Sequence, residues 1–434
     1  MDAETTLEMR TMRKVTWRLL PFLMLCYLLA FIDRANVGMA SLQMNAELGL
    51  SARVFGFGAS LFFVAYFLME VPSNLMLQKV GARYWIARIM VTWGLVSTGM
   101  AFVWNAESFY VMRFLLGAAE AGFFPGVILY LTYWMPPRYR GRMLALFAIA
   151  IPVSSFVGSP LSGLLLEMNG LAGLRGWQWL FICEGIPTVI LGLACLKVLT
   201  DRPSDAKWLE ADERAWLARE LAPASGSKPL IDGSAWRLVR TPAFWAMVIA
   251  CSGASAAGSV LGVWQPQLLK SFGLTDLQTG LVNSVPYGIA AVAMVLWGRH
   301  SDATGERRWH TALPLLLIAV GAVGTFALTG LMPTVLLLTF VLGGAYCFKG
   351  PFWSMASSWL SASTAAAGIA AINATSNLIG GGLMVNVYGL IHDATDSYVL
   401  ALLPLAALTV ASAAAVVHVG QAAKGRGTVG VSET

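Results

Sequence analysis

The sequence predicts an all-α integral membrane protein of about twelve transmembrane helices, grouped into two bundles of six. The first observation is composition: 57% of the 434 residues are hydrophobic and only 12% are charged, whereas soluble domains carry roughly 25% charged residues. The second is a series of apolar runs that reach the length of about 20 residues needed for a helix to cross a bilayer. These runs lack the strict alternation over about 10 residues of a transmembrane β-strand, so no barrel is predicted.

One long hydrophilic segment divides the apolar runs into two halves. The predicted spans are 17–38, 53–78, 84–104, 108–134, 142–167 and 178–199, then 242–268, 277–299, 311–330, 333–357, 363–391 and 397–419. The predicted domains are an N-terminal segment (1–16), a six-helix bundle (17–199), a linker (200–241), a second six-helix bundle (242–419) and a C-terminal tail (420–434). Apolar residues at helical spacing predict a short amphipathic helix in the linker, and residues 225–229, SGSKP, indicate a flexible joint.

The distribution of basic residues predicts the orientation of the chain in the membrane. If the N-terminus is cytoplasmic, the predicted cytoplasmic segments hold 23 of the 29 Lys and Arg residues. The predicted external segments hold only Arg53, Arg175 and Lys270. This bias follows the positive-inside rule. We therefore expect the chain to lie in a bacterial inner membrane with both termini in the cytoplasm. The bias also accounts for the net charge of +6 without a nucleic-acid partner.

Several classes of function find no support in the sequence. The five cysteines lie in apolar runs and form no CxxC or Cys/His cluster, so neither a metal nor another cofactor is expected. A nucleotide-driven pump would need a GxxxxGK[ST] loop, and the chain has none. The sequence also contains no set of nucleophile and base residues that would indicate an enzyme. The expected partners are membrane lipid and a small organic anion, with protons as the coupling ion, and the chain is expected to be a monomer.

Ionisable residues inside a membrane are costly and therefore indicate function. The predicted spans contain Asp33, Arg34, Glu70, Arg113, Glu120, Glu184 and Lys349. Arg34 is predicted to anchor the substrate because its guanidinium matches a carboxylate with two parallel hydrogen bonds; the alternative is a permanent pair with a protein carboxylate. The Asp33 side chain points in a different direction from that of Arg34, since successive helical residues point about 100° apart. It is predicted to titrate separately and to couple transport to protons.

The fourth predicted span carries a second functional pair. Arg113 and Glu120 are seven residues apart and share a helix face. Glu120 lies in the small-residue stretch 117–126, which allows close helix packing and contains Pro125. Glu120 is predicted to couple transport to protons by changing partners, and Arg113 to form a gating or structural ion pair. Glu70 and Glu184, nearer to helix ends, are interpreted as structural.

The second half offers one cation and several neutral polar groups. Lys349 precedes Gly350 and Pro351, which interrupt regular helical hydrogen bonding, as in the broken helices that line transporter cavities. A cation opposite Arg34 would suit a substrate with two carboxylates; snorkelling or an unrelated ion pair is the alternative. The further predicted substrate-binding residues are Tyr66, Trp353, Ser354, Asn373 and Asn377. The two asparagines are one turn apart, and contacts between helices are the alternative to substrate binding.

The chain resembles the anion:cation symporter family of the major facilitator superfamily along most of its length. The motifs that carry the resemblance are FIDRANVG (31–38), EVPSNL (70–75), VGARYWIAR (80–88), RFLLGAAEAGFFP (113–125), WGRHSDATGERRWH (297–310) and GPFW (350–353). The resemblance implies the major facilitator fold and proton-driven uptake of organic anions. It also implies coupling and substrate binding by Asp33, Arg34 and Glu120, with Tyr66 and Asn377 at positions that match the family's helix-2 tyrosine and helix-11 asparagine.

The resemblance bears on the substrate as well. A helix-5 glutamine that helps bind sugar acids in some members is apolar here, near Ile151, which argues against a galactonate-like substrate. Lys349 in the sequence FKGPFW is similar to members of the tartrate type. We therefore predict symport of protons with a tartrate-like or phthalate-like dicarboxylate or hydroxy acid by alternating access. The alternatives are an uncoupled facilitator or exchanger of organic monocarboxylates, and a membrane sensor that binds an anion.

Overall fold

The computed structural model describes residues 3–221, 239–359 and 365–427, and every regular element within these ranges is helical. The joint predicted at residues 225–229 lies outside the described residues. So do the first two residues of the predicted N-terminal segment, the start of the predicted eleventh span at 363–364, and residues 428–434 of the predicted tail.

The described residues of the first half and the linker form eight α-helices. They are α1 (Ala3–Leu48), α2 (Ala52–Val80), α3 (Ala82–Gly99), α4 (Ala106–Glu120), α5 (Phe123–Thr132), α6 (Pro137–Leu166), α7 (Gly176–Val198) and α8 (Ala211–Glu220). The first helix runs well beyond the predicted span 17–38. Its amphipathic ends continue the helix outside the apolar stretch that hydropathy detects, so composition alone underestimates its length.

The described residues of the second half form a further eight α-helices. They are α9 (Pro242–Lys270), α10 (Asp276–Thr304), α11 (Arg308–Ala327), α12 (Leu331–Cys347), α13 (Lys349–Trp359), α14 (Ala365–Asn377), α15 (Val385–Thr395) and α16 (Leu403–Gly427). A π-helical segment, Leu378–Met384, joins α14 to α15. Single π-helical turns inside α-helices frequently mark functional sites.

Within the described ranges, twelve helical segments are long and apolar enough to cross a membrane, six before and six after the linker. This confirms the prediction of an all-α membrane protein with about twelve spans. Three of these spans contain two α-helices each. The helices α4 and α5 meet at Gly122, which has a φ of 86°, α12 and α13 meet at Phe348, and the π-helical segment joins α14 to α15. Each junction lies close to a predicted site residue, Glu120, Lys349 or Asn377.

The two halves touch at one end of the molecule, which we name the closed end. It comprises residues 38–56, 156–166, 262–288 and 385–393, where α1 meets α9, α2 meets α15, and α6 meets α10. Glycines allow the close approach, since a Cβ on Gly38 would lie 2.5 Å from the Gly262 backbone oxygen. Hydrogen bonds across this end join Gln43 to Asp276, Gln267 to Ser41, Asn283 to Ser159, and the Arg53 backbone to Asp393.

The opposite end, which we name the linker end, holds α8 and the start of α1. Arg10 and Lys14 of α1 lie 3.0 and 2.8 Å from the buried Glu213 of α8, and Trp208, just before α8, stacks on Trp134. Between the described ranges of the two halves, no hydrogen bond crosses this end. Within the described residues, the two halves are therefore joined by hydrogen bonds at the closed end and not at the linker end.

Candidate functional site

The centre of the first half holds a buried ion pair between α1 and α4. The Arg34 guanidinium donates a hydrogen bond to Glu120 Oε1. The Glu120 side chain is 4% exposed, whereas that of Arg34 is 28% exposed. Arg34 is thus the member of the pair that faces the space between the halves.

Local backbone structure explains how Glu120 reaches Arg34. Glu120 is the last residue of α4, directly before the break at Gly122. A Cβ on Gly117 would lie 2.1 Å from the Phe62 backbone oxygen, so only glycine lets α4 approach α2 this closely. The carboxylate therefore projects from a helix end that is packed tightly against α2 and turns away at the next residue.

Aromatic rings surround the Arg34 guanidinium. Its central carbon lies 5.0 Å from the ring centre of Phe31, 5.4 Å from that of Phe62 and 5.3 Å from that of Tyr66. These distances allow cation–π attraction, which strengthens where water is excluded. The rings hold the guanidinium in place while one side stays accessible from the cavity.

Asp33 belongs to a separate polar cluster behind the ion pair. It accepts hydrogen bonds from Trp93 and Ser97 of α3 and from Asn36 Nδ2 at 2.9 Å, and it is 1% exposed. Neighbouring helical residues diverge in direction, and the side chains of Asp33 and Arg34 accordingly have different partners.

Arg113 lies between the two carboxylates. It is 2% exposed, stacks 4.9 Å from the Phe62 ring centre, and donates a 3.4 Å hydrogen bond to the Ala59 backbone oxygen. It interacts electrostatically with both Asp33 and Glu120, although it forms no direct ion pair with either in the described structure. Arg113 can therefore stabilise negative charge on either carboxylate.

Lys349 faces this site from the second half. It begins α13 after the break at Phe348, and its Nζ lies 4.8 Å from the ring centre of Tyr346. Lys349 and Arg34 are close enough to repel each other electrostatically. Among the described residues Lys349 forms no ion pair, and a Cβ on the adjacent Gly350 would meet nothing within 4 Å. Lys349 is thus a half-buried cation without a protein carboxylate as its partner in this part of the structure.

The remaining predicted residues of the second half have different surroundings. Asn377, the last residue of α14, accepts a 2.7 Å hydrogen bond from the Ser255 hydroxyl of α9, a contact between helices. Asn373 and Trp353 are half-buried, and Ser354 is exposed. Asn373, Trp353 and Ser354 therefore keep accessible surface, while the amide oxygen of Asn377 is already engaged.

Comparison with known proteins identifies the family. The sequence profile of the Major Facilitator Superfamily matches residues 23–385. The chain belongs to the Major Facilitator Superfamily. Over 407 residues it is 51% identical to a protein of Agrobacterium vitis named "Putative tartrate transporter", with 94% of each chain covered. It is 41% identical to the "Putative metabolite transport protein NicT" of Pseudomonas putida, with 88% of each chain covered.

A solved structure supports the same fold for this superfamily member. A bacterial homologue of the human lysosomal transporter Spinster, in an inward-facing and unoccupied conformation, superposes with a TM-score of 0.80 at 16% identity. The alignment covers 94% of this chain and 97% of that one. Family and fold together make this protein a multi-pass membrane transporter rather than an enzyme, as the sequence predicted.

The structure adds residues that the sequence analysis did not select. Tyr27 is buried beside Phe31 and interacts electrostatically with Arg34 and Glu120. It precedes Arg34 by seven residues, and this two-turn spacing on one helix face was the signal available in the sequence. Ser255, the partner of Asn377, gave no such signal because it lies on another span.

Proposed function

We propose that this transporter takes up a small dicarboxylate or hydroxy acid, tartrate-like or phthalate-like, together with protons, by alternating access. The observation that carries the proposal is the pair of cations across the cavity. Arg34 is bound by a protein carboxylate that a proton can neutralise, and Lys349 has no ion-pair partner among the described residues while its charge acts on that of Arg34. Two cations on opposite halves suit a substrate with two carboxylates. The name of the Agrobacterium vitis relative supports the same substrate class.

The first step of the cycle is an exchange of partners at Arg34. While Glu120 is ionised, it occupies the guanidinium, and a substrate carboxylate would have to compete with it. Protonation of Glu120 removes the negative charge and leaves Arg34 available as a bidentate anchor for the substrate. Substrate binding and proton binding therefore favour each other.

Asp33 supplies the second proton site. Its three hydrogen-bond donors stabilise the ionised form, whereas its burial disfavours that form, so modest changes around it shift its proton occupancy. Arg113 interacts with Asp33 and Glu120 alike. When one carboxylate is protonated and loses its charge, Arg113 interacts mainly with the other carboxylate and stabilises its negative charge. The two proton sites are thereby coupled to each other.

Neutral polar groups account for recognition of hydroxyls. Tyr66, Trp353, Ser354 and Asn373 retain accessible surface, Tyr66 lies beside Arg34, and Asn377 can contribute its amide nitrogen while Ser255 engages its oxygen. Hydrogen bonds to substrate hydroxyls typically add about 1 kcal/mol each, and an unpaired buried group costs more. These groups favour a hydroxy acid over a plain diacid.

The distribution of charge supports a cytoplasmic linker end in a bacterial inner membrane. Most Lys and Arg residues outside the spans lie at the linker end, as the positive-inside rule requires. With this orientation, the contacts at the closed end shut the external side, as in an inward-facing state. Large apolar side chains exposed along the spans, such as Leu95, Val292 and Leu336, suit direct contact of a monomer with lipid.

Transport into proteoliposomes tests the proposal. Purified protein is reconstituted, a pH gradient is imposed with the acidic side outside, and uptake of radiolabelled L-tartrate is measured with and without a protonophore. We expect accumulation that the protonophore abolishes, competition by phthalate, and weaker competition by a monocarboxylate such as gluconate. Equilibration without accumulation would instead support the uncoupled facilitator, and saturable binding without any flux would support the sensor.

A further inference from the structure

The first half contains another buried carboxylate that the proposed cycle does not use. Glu184 of α7 is 4% exposed. The Ser162 hydroxyl of α6 donates a 2.8 Å hydrogen bond to its Oε1 atom. Its second oxygen, Oε2, is buried and has no hydrogen-bond partner among the described residues. An ionised carboxylate with a bare buried oxygen is a costly arrangement.

The Asn36 side chain connects Glu184 to the Asp33 cluster. Its Nδ2 donates to Asp33 at 2.9 Å, and the same amide interacts with the Glu184 carboxyl group. Its own oxygen, Oδ1, is also buried without a donor in the described structure. Two buried acceptor oxygens thus lack a donor on two neighbouring side chains, and a proton on Glu184 Oε2 would supply the donor that Asn36 Oδ1 lacks.

The groups packed around Glu184 give it no positive partner. From α1 it faces Asp33, and from its own helix Cys183. From α6 it faces the Ser162 hydroxyl, and α3 contributes the Thr98 hydroxyl near Gly185. Of the described cations, Arg34 and Arg113 interact with Glu120 and none interacts with Glu184. Burial beside another carboxylate, without a cation as partner, makes the charged form of a carboxylate costly.

We propose that Glu184 is a third proton-binding site of the transport cycle, in addition to Asp33 and Glu120, placed between Asp33 and the closed end. Its donor Ser162 lies on the stretch of α6 that forms the contact between the halves. On either side of it, Gly163 packs on Gly280 of α10, and Ser159 accepts a hydrogen bond from Asn283 of α10. Opening of the closed end separates α6 from α10 and admits water to Ser162 and Glu184.

The third proton has a consequence for energetics, which rests on the proposed symport of a dicarboxylate with protons. Two protons neutralise a dianion, so a cycle with two protons moves no net charge. A third proton makes each cycle carry one positive charge inward. A membrane potential then contributes about 2.3 kcal/mol per charge at about 100 mV, which is roughly a 50-fold gain in accumulation at tight coupling.

The test compares charge movement in wild type and Glu184→Gln. Proteoliposomes receive the same pH gradient and a potassium diffusion potential, negative inside, set with valinomycin, and L-tartrate accumulation is measured. In wild type we expect the potential to raise accumulation by up to roughly 50-fold at about 100 mV. In Glu184→Gln we expect uptake driven by the pH gradient to persist and the response to the potential to vanish. Glu167→Gln, an exposed carboxylate after α6, serves as the matched control and should behave as wild type.

The outcomes separate this inference from the proposed function. If wild type accumulates tartrate under the pH gradient and Glu184→Gln keeps the full response to the potential, the third site is wrong and the symport stands. If wild type shows no proton-driven accumulation, both the third proton site and the proposed symport are wrong. Should Glu184→Gln fail to insert, the reversal potential of wild-type transport gives the charge per tartrate directly: one positive charge supports the site, and zero overturns it.

Discussion

The two halves of this transporter bring different chemistry to one cavity. In the first half, Arg34 and Arg113 share a buried region with Asp33 and Glu120, and each charge there has a protein partner or a charged neighbour. In the second half, the described lining has one cation, Lys349, without an ion-pair partner, together with neutral polar side chains. The same fold is thus used twice with unequal charge.

This difference indicates that proton coupling and substrate recognition are divided between the two halves. A network of mutually compensated charges changes its partners when one member gains a proton, because the buried charge balance is upset. A lone cation beside neutral donors has nothing to exchange and can only attract an anion. We therefore interpret the first half as the coupling half and the second half as the recognition half.

The largest effect is expected from Glu120→Gln, which removes the exchange of partners. Glutamine has the shape of the protonated acid but cannot release a proton, so accumulation driven by a pH gradient should be abolished. Exchange of internal for external tartrate should persist, since Arg34 stays available to substrate. Counterflow and gradient-driven uptake in proteoliposomes measure the two properties, with Glu107→Gln, an exposed carboxylate at the start of the same helix, as the control. Gradient-driven accumulation by Glu120→Gln would remove Glu120 from the coupling mechanism.

The next effect concerns the anchor itself. Arg34→Lys keeps the positive charge but loses the planar fork. Because charge-assisted hydrogen bonds contribute about 1.5–3 kcal/mol, tartrate binding should weaken roughly 10- to 100-fold. Isothermal titration calorimetry of the purified protein measures the affinity for tartrate. Arg53→Lys at the closed end is the control. Binding as tight as that of wild type would show that Arg34 serves only as the partner of Glu120.

Lys349→Ala tests the recognition half by comparing substrates. A dicarboxylate should lose one of its two cationic contacts and bind roughly 10-fold more weakly or worse. A monocarboxylate held by Arg34 should change far less. The ratio of the two affinities, measured in one preparation, is insensitive to partial unfolding, and Lys79→Ala on the surface of α2 is the control. Equal losses for both substrates, or no loss, would make Lys349 structural.

The sequence predicted those features that depend on composition and local spacing. Twelve spans follow from apolar length alone. The breaks beside Glu120 and Lys349 lie where glycine and proline disfavour continuous helix. The separate partners of Asp33 and Arg34 follow from the angle between successive helical residues.

Features that depend on contacts between distant spans could not be predicted. Arg34 and Glu120 are 86 residues apart, and spacing within one helix gives no information about which carboxylate an arginine on another helix will meet. The same holds for Asn377, whose partner Ser255 is 122 residues away. The sequence placed Glu184 nearer to a helix end and favoured a structural role, whereas in the structure it is the ninth of the 23 residues of α7 and has Asn36 and Asp33 as neighbours.

The smallest effect is expected outside the membrane, where α8 attaches to the start of α1. Burial tends to raise the pKa of Glu213, but hydrogen bonds from Lys14 and the Glu210 backbone, with the charge of Arg10, outweigh it, so the pKa is lowered. A carboxyl group with a lowered pKa stabilises the fold at neutral pH, and this stabilisation is lost as the pH falls below the usual pKa of a carboxyl group.

Since such ion pairs contribute about 1 kcal/mol or less, Glu213→Gln should lower the melting temperature at neutral pH by only about 1 to 2 °C. The difference should shrink toward zero in acid, where wild type also loses the charge. Thermal unfolding of both proteins across pH, with the exposed Glu220→Gln as control, measures it. A difference that persists unchanged in acid would show that Glu213 acts through packing rather than charge, and that α8 is joined to the coupling half by its apolar face.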